Sequence, residues 1–348
     1  MRPEFVATSL ITGEDRTPRV VLEANRDHNT ARTARLERVV FVNDVAPEQA
    51  LEAVCDREGE IDIVTEVSPA DAARVEASEH ARLVTIDANR VLVGIFNTWE
   101  SNDAPLQDAR VREALNLSVD RHAMAAEALG GFATPLAALT PPWCNGMFPG
   151  AEARRRDAGR AKELLEAAGG WPEGRPLKIA TPAPFEGLAG LVAAGVQDAL
   201  GLATEVIVVP AEEMTAGARA LVENKLPQPW DVLMHAWFDL SSDLPPAAVH
   251  REFFGADGAF RAGPEDPEFD RMFGELARTP DPETARSLAE QIDRYCFDAC
   301  KALFLCAPHA LYAVNKHVDF KAYRTTFELA DTEVAQEHWS RRGAVGEH

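Results

Sequence analysis

NTWESNDAPLQDARVREALNLSVDRHAMAAEALGG, residues 97–131, is the stretch whose reading decides the fold. The apolar run VLVGIFN (Val91–Asn97) leads into it and predicts a buried strand. A polar, turn-prone segment ends in Pro105-Leu106. Asp108 is then placed to cap a helix, because its carboxylate can accept the free N–H groups of the first turn. Val111, Ala114, Leu115 and Ser118 recur three and four apart, which predicts one buried helical face. Asp120-Arg121 breaks that helix, and a second short one runs to Gly130-Gly131, a left-handed stop. Strand, crossover, helix, acidic-basic corner, helix and double glycine mark a boundary between two lobes.

Upstream, Arg19–Ala24 and Arg38–Val42 predict strands rich in β-branched residues, and Pro47–Cys55 predicts a helix. Ile61–Val64 predicts a strand. Ser68-Pro69 opens a further helix, with the serine as cap and the proline at the first helical position. Arg82–Asp87 and Arg90–Phe96 predict strands.

Downstream, Phe132–Gly150 holds Pro141, Pro142, Trp143, Phe148 and Pro149 and is expected to be a long surface loop. Arg154–Gly169 predicts a helix. Leu177–Thr181, Thr204–Val209 and Trp230–Trp237 predict strands. Between them, Glu186–Leu200 predicts a helix with Leu188, Leu191, Val192, Gly195, Val196 and Ala199 inward, and Glu212–Glu223 a second helix. Alternating strands and helices imply parallel pairing with right-handed crossovers. Phe269–Arg278 and Pro282–Phe304 predict helices, and Leu303–Cys306 and Ala310–Val314 predict returning strands.

Six stretches in this order resemble the peptide/nickel-type (family five) extracellular solute-binding proteins of ABC importers. They are VVLEANRDH…RLERVVF (Val20–Phe41), REGEIDIV (Arg57–Val64), PLQDARVREALNLSVDR…ALGG (Pro105–Gly131), RAKELLEAAG (Arg160–Gly169), WDVLMHAW (Trp230–Trp237) and DPEFDRMF (Asp266–Phe273). The resemblance implies an α/β, periplasmic-binding-protein-like two-lobe fold. It divides the chain into a partial first lobe over 1–98, a second lobe over 99–305 with its ligand-side strand at 230–237, and a segment over 306–348 that returns to the first lobe and forms the tail. In the family a long N-terminal part precedes the VVLEAN-like strand, so a complete second lobe and a truncated first lobe are expected.

Composition limits the functions open to such a chain. With 35 Lys+Arg against 56 Asp+Glu the net charge is −21, which disfavours nucleic acid and anionic membranes and leaves room for cationic partners. No apolar run reaches the ~18 residues of a membrane span. MRPEFVATSLITGEDRTP (Met1–Pro18) lacks a basic segment followed by an apolar run, so no signal peptide is expected. The chain as written is expected in the cytoplasm, or outside it if upstream sequence supplies a signal and the first wall. The five cysteines, Cys55, Cys144, Cys296, Cys300 and Cys306, are odd in number and lack metal-knuckle spacing. Cys296 and Cys300 fall on one predicted helix and are expected to be buried thiols.

The best candidate for a ligand site is the end of the Trp230–Trp237 strand and the loop after it: His235, Ala236, Trp237, Phe238, Asp239 and Asp243. Ligands of open α/β sheets gather at such strand ends. A peptide can add itself to the strand through backbone groups at Ala236 and Phe238, an aromatic can cover apolar surface, and an aspartate can hold an ammonium group. The family resemblance implies an acidic residue three positions after the tryptophan, where this sequence has Leu240. Alternatively, Trp237 belongs to the core and both aspartates end loops.

Asn97 is the candidate at the crossover, where the resemblance implies a hinge and a turn-forming asparagine is the simpler reading. Arg110, Arg112, Asp120 and Arg121 are expected to form salt bridges around the helical corner. His235, His250, His309 and His317 lack zinc spacing, and no G-x-S-x-G, G-x-G-x-x-G or P-loop is present. No cofactor and no metal are expected.

The expected function is capture of a peptide-like or small polar cationic solute, as the capture component of an ABC importer. The alternative is a cytoplasmic protein that reuses the lobe as an enzyme or scaffold in a biosynthetic pathway. A homodimer, or a partner chain completing the first lobe, is the expected protein partner.

Overall fold

Arg90–Phe96 is buried at every position after the first, and this run of seven residues lies at the middle of the larger sheet. A strand covered on both faces must be apolar throughout, as VLVGIF is. The structure, a computed structural model, describes residues 5–9, 19–25, 34–43, 45–210, 213, 229–238, 247–325 and 327–342. The chain forms two compact units, Met1–Ile86 with Ala310–His348, and Asp87–His309.

The first unit holds an antiparallel sheet of β1 (Phe5–Ser9), β2 (Arg19–Ala24) and β3 (Arg38–Val42). A second sheet places the later strand Ala310–Asn315 between β4 (Ile63–Val64) and β5 (Ala81–Ile86). Helices α1 (Pro47–Cys55) and α2 (Ala72–Ala77) lie between the strands in sequence. Ser68 accepts from the Asp71 N–H at the start of the short turn before α2, as its position ahead of Pro69 predicts.

The second unit is built on a six-stranded sheet. In spatial order its strands are β7 (Ala133–Pro135), β11 (Ala302–Pro308), β6 (Arg90–Phe96), β10 (Val232–Phe238), β8 (Leu177–Pro182) and β9 (Thr204–Val209). β10, β8 and β9 run parallel, as the strand–helix alternation predicts, whereas β6 is antiparallel to both β10 and β11. Because β6 and β11 lie inside this sheet, the second unit runs from Asp87 to His309 and not from 99 to 305.

Helix α3 (Ala109–Ser118) buries Val111, Ala114, Leu115 and Ser118, the predicted face. Asp108 caps it by accepting from the Arg110 N–H, and Asp120 caps the short α4 (Arg121–Ala123) by accepting from His122 and Ala123. The chain leaves through Gly130 and Gly131 at φ 58 and 82, where a side chain would be strained.

The arginines of this corner depart from the expected salt bridges. Arg110 pairs with Asp108, but Arg112 and Arg121 are buried and bond mainly to carbonyl oxygens. Arg112 donates to Leu106 O and Gln107 O at 2.8 Å each, to Ala299 O at 2.8 Å and to Cys300 O at 3.0 Å. Arg121 donates to Asn116 O and Asn116 Oδ1 at 2.7 Å each, to Val119 O at 3.2 Å, and to Phe304 O. Burial pushes the Arg121 guanidinium down to about 10, so it stays charged at neutral pH.

Helix α5 (Ala158–Ala167) starts later than predicted because Asp157 caps it, accepting from the Arg160 N–H. Helix α6 (Glu186–Leu200) buries Ala189, Val192, Ala193, Val196 and Ala199, whereas Leu191 is exposed. Its inward stripe is therefore turned about one position from the predicted one. The predicted helix Glu212–Glu223 lies outside the described residues apart from Glu213.

α7 (Ala247–Phe254), α8 (Pro267–Ala277) and α9 (Pro282–Asp298) complete the unit. α9 ends six residues before the predicted Phe304. Cys300 takes φ 46 in the left-handed region, outside the helix, and Arg112 donates to the carbonyls at this exit. A cation there neutralises the partial negative charge of the helix end.

Gly195 lies at a close approach between α6 and α3. A Cβ there would lie 2.9 Å from the Ser118 carbonyl oxygen. Replacing a helical glycine by alanine ordinarily stabilises by about 1 kcal/mol, but overpacking a close contact costs about 1–3 kcal/mol. Gly195→Ala is therefore expected to lower the melting temperature, whereas Gly190→Ala, with open space at its Cβ, should raise it. Thermal unfolding of the two variants checks the sign.

Candidate functional site

Antiparallel pairing sets which ends of the strands meet. Trp237 lies opposite Val91 and Phe238 opposite Arg90, so the end of β10 adjoins the start of β6. Pro308, at the end of β11, lies opposite Ala133. By alternation, Leu233, His235 and Trp237 share one face with Val91 and Val93. That face carries the second core of the unit, built with α7, α8 and α9.

Trp237 stands in an aromatic lattice. Its ring lies 4.8 Å from Phe260 and 5.4 Å from Phe253, both edge-on, and 6.5 Å from His235. His235 is half-buried, and desolvation lowers its pKa, which favours the neutral imidazole. Its Nδ1 is buried with no hydrogen-bond partner among the described residues. Such an atom costs about 1–3 kcal/mol unless another donor or acceptor reaches it.

Beside Trp237 is a narrow slot lined by Asn89, Val91, Leu139, Pro141, Cys144, Trp237 and Val249. Its free interior of about 10 Å³ has room for about one water-sized group. Leu139–Pro141 and Leu136–Ala138 are buried, and Ala133–Pro135 is a strand, so the stretch from Phe132 to Gly150 is not the surface loop expected from its prolines. Its Ala/Leu run is apolar enough to pack, while the prolines serve only to break regular structure.

One buried carboxylate fixes two walls of this slot. Asp293 Oδ1 accepts from Thr140 N–H at 3.3 Å and Thr140 Oγ1 at 2.9 Å, and lies 2.9 Å from His250 Nε2. Thr140 sits between Leu139 and Pro141, and His250 follows Val249. All three residues of the network are nearly inaccessible. The floor is tied in a similar way, because Trp143 Nε1 and Cys144 Sγ both donate to Asn89 Oδ1, at 3.1 and 3.2 Å.

The expected site residues fall in different places. His235 and Trp237 are brought together on the slot face. Ala236 turns to the opposite face, against the first core of the unit. Phe238 closes β10, and Asp239 and Asp243 lie outside the described residues. Asn97 is at the other end of the sheet, roughly 20 Å along β10 from Trp237. It is buried, its N–H donates to Asp231 O at 2.8 Å and its Nδ2 to Trp230 O at 3.0 Å. Asn102 Nδ2 donates to its carbonyl at 2.8 Å, and Arg175 bridges Asn102 Oδ1 and both oxygens of buried Asp231. Asn97 is thus spent on a structural clasp.

Asn89, Leu139, Pro141, Cys144 and Val249 are site residues that sequence reasoning missed. They come from loops and a helix that only the tertiary packing brings beside Trp237, and no local signal marks them. Among the described residues no group of three or more His, Cys, Asp or Glu is placed to hold a metal ion. Among them, too, no helix is long and apolar enough to cross a membrane.

Residues 11–257 match the model of the bacterial extracellular solute-binding proteins, family 5 (middle). The chain belongs to this family. Solved structures similar to this family 5 protein include the ABC transporter substrate-binding protein CtaP from Listeria monocytogenes, with a TM-score of 0.79 and 18% identity over 95% of this chain and 66% of that one. NikA from Staphylococcus aureus, in complex with Ni(L-His)2, aligns with a TM-score of 0.72 and 15% identity over 95% of this chain and 68% of that one. The oligopeptide-binding protein AppA from Bacillus subtilis, in complex with a nonapeptide, aligns with 0.71 and 17% over 95% and 66%. This family 5 chain therefore spans about two thirds of the length of these relatives. A search of curated proteins found no match. The likeness establishes an α/β, periplasmic-binding-protein-like two-lobe fold.

Cys55, Cys296, Cys300 and Cys306 are buried, and burial raises each thiol, Cys306 to about 12. Cys144 is partly exposed at the slot. A thiol reagent such as DTNB is expected to label one cysteine per native chain, and none in Cys144→Ala. Asn97→Ala should cost about 1–3 kcal/mol by stranding the Trp230 carbonyl, measured by denaturant unfolding, and leave the labelling rate of Cys144 unchanged.

Proposed function

We propose that this chain captures a peptide-like or other small polar, cationic solute as the binding component of an ABC importer. Family membership supports the class, and the chain's −21 charge suits a cationic ligand. The observation that carries the reading is the edge of β10. Its pairing with β8 comprises Val232 with Ile179 and Leu233 with Ala180, whereas its pairing with β6 continues to Phe238. Among the described residues, Met234–Phe238 thus has no strand on its β8 side.

A peptide laid along that edge would gain main-chain hydrogen bonds from Ala236 and Phe238. A side chain turned onto the Trp237 face would meet the aromatic lattice and the mouth of the apolar slot. The buried His235 Nδ1 supports the same reading, since a ligand polar group would relieve its missing bond. Asp239 and Asp243 remain the proposed carboxylates of the loop.

Titration with di- and tripeptides should raise the melting temperature, by an amount that grows with ligand concentration. Trp237→Ala is expected to weaken binding by about 2 kcal/mol, roughly thirtyfold in Kd by calorimetry. Bound peptide should also slow thiol labelling at Cys144. No melting shift with any peptide would sink the proposal.

A further inference from the structure

The same end of the sheet carries a polar rim that the slot itself does not use. Asp87 opens the second unit, and its side chain is 44% exposed. Its close neighbour is His309, whose Nε2 lies 3.3 Å from Oδ1, and no described residue donates an aligned hydrogen bond to this carboxylate. The same Nε2 lies 3.2 Å from Thr134 Oγ1, so the imidazole is shared between two oxygens. The His309 ring meets the Trp143 ring edge-on at 6.5 Å, and Trp143 is bonded to slot-lining Asn89. Asp87, His309, Trp143 and Asn89 therefore run without a break from an open carboxylate to an apolar slot.

A carboxylate offers about four acceptor positions. Among the described residues Asp87 has one long contact, to a shared imidazole, which leaves acceptor capacity for a donor arriving from solution. Resting on the capture reading above, we propose that Asp87 is the residue that reads ligand charge. It accepts the ammonium of a ligand whose small apolar group occupies the slot, and His309 competes with that ammonium for the carboxylate.

Among the described residues, Asp87 and Thr134 each face His309 with an oxygen, and the Trp143 ring meets it edge-on. His309 Nε2 takes one acceptor position of Asp87, so losing the imidazole frees the carboxylate for a cationic ligand. An α-ammonium, with a pKa of about 7.7–8.0, is mostly charged at pH 7.0.

The test uses trialanine and N-acetyl-trialanine, which share methyl groups for the slot and differ in the ammonium. Calorimetry is run at pH 7.0 on the whole chain and on Asp87→Asn and His309→Ala. The unaltered protein is expected to prefer trialanine by about tenfold. Asp87→Asn should bring the ratio near one while keeping the affinity for the acetylated peptide. His309→Ala should tighten trialanine binding and leave that of N-acetyl-trialanine unchanged.

A preference for trialanine undiminished in Asp87→Asn overturns this assignment and leaves capture standing. Binding of neither peptide overturns both. If Asp87→Asn does not fold, His309→Ala decides, and an unchanged trialanine affinity counts against the assignment.

Discussion

The antiparallel pairing of Arg90–Phe96 with both Val232–Phe238 and Ala302–Pro308 is the constraint behind the site. It brings the first residues of one strand beside the last residues of its two neighbours. Asn89, Trp237 and His309 are far apart in sequence, and no local interaction could collect them. Pairing collects them at one end of the sheet, and it sends Asn97 to the other. A one-residue slip of Val232–Phe238 would move His235 and Trp237 to the opposite face. The buried faces on both sides of the strand oppose any such slip, because it would exchange Leu233 and Met234 between two different cores.

Two buried arginines hold that pairing in place. Arg112 and Arg121 sit on consecutive helices and reach carbonyls at 299, 300 and 304, on either side of the point where α9 gives way to β11. A guanidinium has five donors in a fixed fork, which suits several carbonyls at once better than a single carboxylate. The cost of burying the charge is met by hydrogen bonds, and replacing either arginine would strand several acceptors together. The helical corner, which lies inside the second unit and not at its boundary, is thus the bracket for the strand that carries the chain back.

Much of this is legible in the sequence because it is local. Asp108 and Asp120 are caps by position, Gly130-Gly131 is a stop by conformation, and Trp230–Trp237 is a strand by its apolar run. The parallel half of the sheet follows from strand–helix alternation. What the sequence hides is register and partner choice. Nothing local to Arg112 distinguishes a carbonyl from a carboxylate as partner. Nothing in Phe132–Gly150 tells a buried segment from a loop, since prolines forbid regular structure in either place. Leu191 is exposed because the contact face of α6 is set by Gly195 meeting Ser118, a tertiary contact that overrides the side-chain pattern. The candidate site was half legible for the same reason: His235 and Trp237 lie on the strand itself, whereas Asn89, Leu139, Cys144 and Val249 reach it from elsewhere.

Asp293 offers one oxygen to Thr140 and His250 alike, while its Oδ2 has no hydrogen-bond partner among the described residues. Two jaws hung from a single atom share one pivot. A group too wide for the gap cannot push one jaw aside without drawing on the bond that holds the other. If the slot takes a ligand side chain, as proposed, its size exclusion is cooperative, and tolerance for bulkier groups would have to evolve at α9.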